Sequence, residues 1–539
     1  MGDPLAFDAL HHPFPSRRVT VYGRGGMVAT SQPLAAEAGL AMLRRGGNAV
    51  DAAVAAAAAL AIVQPSSNGL GSDAFALLWH QGRLHGLNAS GPAPHAADPA
   101  ALRAVGATEM PRYGWAPVTV PGAPAAWAAL NERFGRLPLA QCLEPAEAYA
   151  EEGYPVSPVL AGQWAGAFAH YRRVLRGPLF EPWFQTFAPQ GRAPRAGELW
   201  RCPEAAATLR AIGASGARAF YAGHLADRMD AWSAAHGGWL RRADLEGWHP
   251  EWVAPLSVRY RGCEVWELPP NGQGLVALLA LNLLEGLECR GHGTAETVHL
   301  QLEAIKLAFA DGLAFITDPA HMAVRPADLL SPAYAEVRRR AIGPRAQAPA
   351  PGKPPAGGTV YLATADGGGT MVSFIQSNYM GFGSGVVVPG TGISLHNRGQ
   401  TFSLDPSAAN ALVPGKRTYH TIMPGFLTRG GVPVGPFGVM GGFMQPQGHV
   451  QVVMNTLDFG LNPQAALDAP RWQWLHGLRA DAEHLAPEVA AELERRGHQI
   501  RGGAAPAAFG CGQIIWRDPE TGVLAGGTEP RTDGAVVAF

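Results

Sequence analysis

The sequence predicts a large α/β fold in which helices and β-hairpins share one extensive core, and three observations carry that expectation. Residues 33–63 read as two successive helices built from small side chains, which suits close packing on a sheet. Residues 74–88 and 359–376 carry hairpin signals, β-branched and apolar runs joined at Gln81-Gly82 and at Gly367-Gly368-Gly369. The 539 residues are 47% hydrophobic and only 16% charged, enough apolar material for a large core.

The elements follow in order. Pro33 marks a helix start, Ala36, Leu40 and Leu43 form its apolar stripe, and Gly46-Gly47 breaks it before the Ala-rich run 49–63. That run is apolar but short, interrupted by Asp51 and ended by Pro65, so it reads as a buried helix and not a membrane span. Residues 124–170 read as mainly helical around a loop at Gly135 to Pro138. Residues 292–315 carry Val298, Leu300, Leu302, Ile305 and Leu307 on a helical period. A strand is expected from Pro433 to Val439, and no repeat of 20–50 residues is present.

Composition excludes several classes of function. A net charge of −1, with only Lys306, Lys353 and Lys416 as lysines, leaves no basic surface for nucleic acid. The N-terminal residues lack a basic segment followed by an apolar run, so cytoplasmic residence is the expectation. Cys142, Cys202, Cys263, Cys289 and Cys511 are scattered and unpaired in spacing, which suggests neither a disulfide framework nor zinc. Gly69-Leu70-Gly71-Ser72-Asp73-Ala74 matches a dinucleotide-type string, but a helix precedes it and a hairpin follows, the reverse of such a site. No metal or cofactor is called for.

Residues 340–355 are rich in proline, which excludes helix and ladder alike, so an exposed, extended linker is expected there. It runs into Gly357-Gly358-Thr359 at the start of a strand. A threonine hydroxyl within a chain has no base of its own; if the Gly358–Thr359 bond is cut, the freed α-amine becomes that base. Glycine at 358 leaves the carbonyl open to attack by the Thr359 hydroxyl. The plain alternative is that Thr359 is simply a β-forming residue.

Six short motifs run in series: Gly-Gly-Asn-Ala-Val-Asp at 46–51, Pro-Pro-Asn-Gly-Gln-Gly at 269–274, Phe-Gly-Ser-Gly at 382–385, Pro-Gly-Lys-Arg at 414–417, Gly-Val-Met-Gly-Gly at 438–442 and Asp-Ala-Pro-Arg at 468–471. Together with Thr359 they resemble the γ-glutamyltranspeptidase family over nearly the whole chain. The resemblance implies a four-layer αββα sandwich of the N-terminal-nucleophile hydrolases, cut between Gly358 and Thr359. It implies a large piece 1–358 and a small piece 359–539 that stay together as one intertwined domain, a heterodimer from one precursor. It places the nucleophile at Thr359, a supporting hydroxyl at Ser377, and the oxyanion donors at Gly441 and Gly442, whose plain role is a tight turn.

The chain departs from the family where the substrate's amino-acid end is held. Ser90 stands at the place of an arginine, Tyr379 at that of an asparagine (Asn378 lies beside it), Arg398 at that of a glutamine and Thr401 at that of an acidic residue. His420-Thr421 replaces a serine pair. These changes read as a site with a cation and no obvious anion. The expectation is a γ-glutamyltransferase or glutathione hydrolase-like amidohydrolase or acyltransferase acting on a small amide, with Arg398 or His420 touching the substrate. An acylase on a glutaryl-cephalosporin-like or oxamate-like amide is the alternative. A catalytically silent, uncut scaffold is the rival of another class.

Overall fold

The computed structural model describes residues 13–14, 18–349 and 358–539. Two seven-stranded sheets lie face to face. One runs Ala535–Ala538, Gly26–Thr30, Gly358–Asp366, Met371–Tyr379, Asp73–His80, Arg83–Ala89, Glu251–Val253; the other Val21–Gly23, Leu524–Thr528, Cys511–Arg517, Val432–Met440, Gly425–Arg429, Cys263–Glu267, Leu256–Tyr260. Every neighbouring pair in both is antiparallel. Helices Pro33–Arg44 and Ala49–Val63 cover the outer face of the first sheet, and Gly274–Glu285, Met444–Leu457 and Pro463–Asp468 that of the second. The architecture is the αββα sandwich. Each sheet contains strands from both sides of residues 358–359.

Burial follows from this layering. Strand Met371–Tyr379 is buried at all nine positions because helix covers one face and the opposite sheet the other. Helix Ala49–Val63 is buried along its whole length, which its alanines permit. Its start is a capping box between Asn48 and Asp51, and Asp51 also accepts from the Arg136 N–H. The Asp366 carboxylate accepts from Ala49 N–H at 3.0 Å and from Thr370 N–H at 3.1 Å, so the turn of the Thr359 hairpin is pinned to that helix N-terminus.

The predicted elements are present with shifted ends. The second strand of the Thr359 hairpin continues three residues beyond Gln376, to Tyr379. The helix expected from 292 begins at Ala295, capped by Thr294, because Gly291 and Gly293 adopt positive φ. Of the expected linker, residues 341–349 are irregular; residues 350–357 lie outside the described residues. Four cysteines are buried, Cys289 is half-buried, and all five are free. Among the described residues no helix is long and apolar enough to cross a membrane.

The two sheets approach tightly where Gly438 faces Tyr361. A Cβ on Gly438 would lie 2.5 Å from the Tyr361 ring. Gly438→Ala is therefore expected to cost about 1–3 kcal/mol by overpacking and to slow any reaction at Thr359, two residues from Tyr361. Thermal unfolding checks this; an unchanged Tm would mean that the sheets separate freely.

Candidate active site

Thr359 sits at an irregularity in its own strand. Gly358 pairs with Tyr379 and Val360 with Gln376, and the register shifts between them, so Thr359 falls at a bulge. Its side chain is 2% exposed. Thr359 Oγ1 lies 3.0 Å from Ser377 Oγ, which in turn accepts from the Tyr379 N–H at 2.8 Å. Neighbouring Gln376 donates to Ala57 O at 2.8 Å and accepts from Trp127 Nε1 at 3.1 Å, which ties the strand to the helix layer.

Strand Val432–Met440 ends in Gly441 and Gly442, with φ of +133° and +62°, values that favour glycine. Their carbonyls accept from the N–H groups of Met444 and Gln445 as the next helix begins. Thr359 and Gly441 line one cavity of about 290 Å³, with Ser66, Ser67, Gln163, Ala167, Gly381, Met440, Ala507, Gly510 and Cys511. Among the described residues no side chain of this lining is charged; burial pushes the Cys511 thiol well above its ordinary range. Arg471, from the Asp-Ala-Pro-Arg motif, donates to Phe509 O and Gly510 O at 3.0 Å and pairs with buried Glu529, holding that wall.

The residues at the aligned substrate positions are absent from this lining. Arg398 is 1% exposed; its Nε and Nη2 meet the Asp73 carboxylate at 2.8 and 3.3 Å, its Nη1 donates to Thr421 Oγ1 at 2.7 Å, and its guanidinium lies 4.6 Å from the Tyr379 ring centre. His420 Nε2 donates to Asp73 Oδ2 at 2.7 Å. Asn378 Oδ1 accepts from Ser72 Oγ at 2.9 Å, and Ser90 donates to Asn88 Oδ1 at 2.7 Å. None of Ser90, Asn378, Tyr379, Arg398, His420 and Thr421 lines the cavity beside Thr359. The reading of a cation without an anion is corrected: Asp73, at the start of strand Asp73–His80, is the anion.

The electrostatics of this set are consistent with its geometry. Burial opposes charge on Asp73, yet Arg398 and then His420 hold its carboxyl well below the usual carboxylate range. Burial and Arg398 push His420 down to about 4, against the pull of Asp73. The Ile422 N–H donates to His420 Nδ1 at 3.3 Å, so that nitrogen is an acceptor and the ring is neutral. His396, which accepts from Arg398 N–H, is pushed by burial to about 4 as well. The set carries one buried ion pair and no net charge.

Gln445 is a second residue that the sequence motifs missed. Its Oε1 accepts from the Met423 N–H at 3.1 Å and its Nε2 reaches Thr359 Oγ1 at 3.4 Å. Metal-type donors meet at another place among the described residues, His299, Glu303 and His498. There His299 Nε2 donates to Gly343 O at 2.8 Å, so its Nδ1 accepts from His498 Nε2 at 2.8 Å, while Lys306 Nζ lies 2.7 Å from Glu303 Oε1. The ammonium takes the place a metal cation would need, and the cluster holds the backbone of Gly343 and Gln347 instead.

The Gamma-glutamyltranspeptidase family model matches residues 35–539. The chain belongs to this family. Among solved structures, a cephalosporin acylase from Bacillus halodurans is 60% identical with a TM-score of 0.95, covering 99% of each chain. Among curated relatives, a glutathione hydrolase-like proenzyme of Bacillus subtilis (strain 168) is 38% identical over 96% of this chain and 99% of its own. An oxamate amidohydrolase proenzyme of Klebsiella pneumoniae is 37% identical over 95% and 98%.

Acid should loosen the protein. His396 and His420 are held near 4, and His449 and His498 near 3, against an ordinary value of 6.5. Between pH 6.5 and 4 the unfolded chain binds protons at these rings that the folded chain refuses, so stability falls as pH falls. Buried Glu267, raised well above its ordinary value, acts in the opposite sense but is one group against four. Tm measured at pH 7, 6 and 5 should decrease in that order; a flat or rising series would mean that these rings are charged in the fold.

Proposed function

We propose that the chain is an autoprocessed amidohydrolase in which Thr359 is the nucleophile and the acyl group is compact and lacks an α-ammonium. Self-cleavage begins with attack of Thr359 Oγ on the Gly358 carbonyl carbon. The C–N bond breaks, the nitrogen is released as the α-amine, and water hydrolyses the resulting ester to a Gly358 carboxylate and a free Thr359 hydroxyl. The amine is then the base for substrate. It takes the hydroxyl proton, Oγ attacks the amide carbon, Gly441 and Gly442 N–H groups receive the oxyanion, and the leaving amine departs with the proton. Water resolves the acyl-enzyme; an amine in its place would make the reaction a transfer. Ser377, 3.0 Å from Thr359 Oγ1, steadies the hydroxyl.

The observation that carries the substrate class is the placement of charge. Of the aligned positions that would grip a free amino-acid end, Arg398, His420 and Thr421 are buried and bonded to one another through Asp73 and Arg398. A cavity that opens on Thr359 has no charged side chain in its lining among the described residues. An ammonium entering it loses a charge-assisted hydrogen bond, about 1.5–3 kcal/mol or one to two decades in binding. The names of the relatives, an acylase and an oxamate amidohydrolase among them, are compatible with this reading.

Two experiments follow. The purified protein should run as two pieces on a denaturing gel, the smaller beginning at Thr359 by mass spectrometry, while Thr359→Ala stays as one chain. A single wild-type chain would favour the silent scaffold. Among γ-glutamyl-, glutaryl- and butyryl-p-nitroanilides, kcat/KM for the γ-glutamyl compound should be lowest by about tenfold or more; a preference for γ-glutamyl would sink the assignment.

A further inference from the structure

Gln445 stands one turn beyond the glycine pair and touches the reacting atom. It is fully buried, and its backbone N–H donates to Gly442 O at 3.2 Å, so it moves with the end of strand Val432–Met440. Its amide orientation is fixed by its partners. The Met423 N–H can only donate, so the atom facing it at 3.1 Å is Oε1, and the NH₂ group faces Thr359 Oγ1 at 3.4 Å. Thr359 Oγ1 therefore has a donor on one side and the Ser377 hydroxyl on the other.

A donor to a nucleophile has unequal effects on the two halves of the reaction. During acylation Oγ gains a bond and loses electron density, so an N–H directed at it gives little help. During deacylation the α-amine takes a proton from the water that attacks the acyl carbon, the C–Oγ bond breaks, and Oγ leaves with the electron pair before taking that proton back from the α-ammonium. Negative charge develops on Oγ at that moment, and an N–H already aimed there stabilises it. Contacts of this kind are often long in the free protein and shorten as charge develops. The same bond breaks in the last step of self-cleavage, when the Gly358 ester is hydrolysed.

We propose that Gln445 is a catalytic residue of ester breakdown, its side-chain amide stabilising Thr359 Oγ as leaving group both in substrate deacylation and in the second step of self-cleavage. The proposal rests on Thr359 as nucleophile. It adds a donor directed at Oγ and distinct from the two glycine N–H groups directed at the carbonyl oxygen.

The test separates the two halves. Gln445→Leu removes the donor; Gln445→Glu keeps the shape and the acceptor for Met423 N–H, so it guards against a simple folding defect. With glutaryl-p-nitroanilide, the first-turnover burst of p-nitroaniline should persist in both variants while the steady-state rate falls about 10²-fold. Intact-mass spectra should then show accumulated glutaryl-enzyme. In freshly made precursor the Gly358–Thr359 ester should accumulate and be cut by hydroxylamine, a readout independent of substrate. Gln445→Glu should regain steady-state rate as pH falls and its carboxyl becomes a donor, whereas Gln445→Leu should not. Burst and steady state falling together, or neither changing in folded protein, would overturn the proposal. Thr359→Ala serves as the control: if it still forms an acyl-enzyme the nucleophile assignment itself is wrong, whereas if it is inert and Gln445 variants are normal, only this inference fails.

Discussion

The distance between the two sheets at Gly438 and Tyr361 is the constraint on which the rest depends. Tyr361 belongs to the strand that begins with Thr359, and Gly438 to the strand that ends in Gly441 and Gly442. Thr359 and Gly441 come together at one cavity from opposite layers, whereas layers of ordinary side chains pack about 10 Å apart. Omitting one Cβ lets an aromatic ring fill the space at the contact without forcing the layers apart. The Tyr361 hydroxyl, 2.8 Å from Ser373 Oγ, satisfies its own polarity inside that interface.

Asp73, Arg398 and His420 make a second fixed point, and it explains how catalysis and specificity come apart. Thr359 and Ser377 are neighbours on one hairpin, and Gly441 with Gln445 closes the site from the other sheet. The charged set reaches Arg398 from the short helix Arg398–Thr401 and His420 from an irregular stretch, both outside the two sheets. Removing one partner of such a buried pair strands the other charge at a cost of about 3–5 kcal/mol. The pair therefore persists as a unit, and a ligand's own charges find no vacant counter-charge in it.

How far the sequence was legible follows from where each signal lies. Thr359 and its hairpin were readable because a proline run, a glycine pair, β-branched residues and a triple glycine stand within thirty positions of one another. The Gly-Gly-Asn-Ala-Val-Asp motif likewise encodes its capping box within four residues. Asp73 was not readable: its partner Arg398 lies 325 positions away, and neither residue has a local pattern that announces a salt bridge. Gln445 was missed for a similar reason, since nothing near it in sequence says that its amide will face Thr359 across 86 positions.

The division of the chain at residue 358 acquires a physical meaning from these contacts. Each sheet contains strands from both sides of that point, so a cut there severs no layer. The Gly343 and Gln347 backbones stay bound to His299, Glu303 and Lys306, and small-piece His498 donates to the same His299 ring. The cut proposed between Gly358 and Thr359 would leave a carboxylate at Gly358 and turn the Thr359 amide, which cannot act as a base, into an amine that can. A fold arranged this way would gain its base without having to reassemble the site around it.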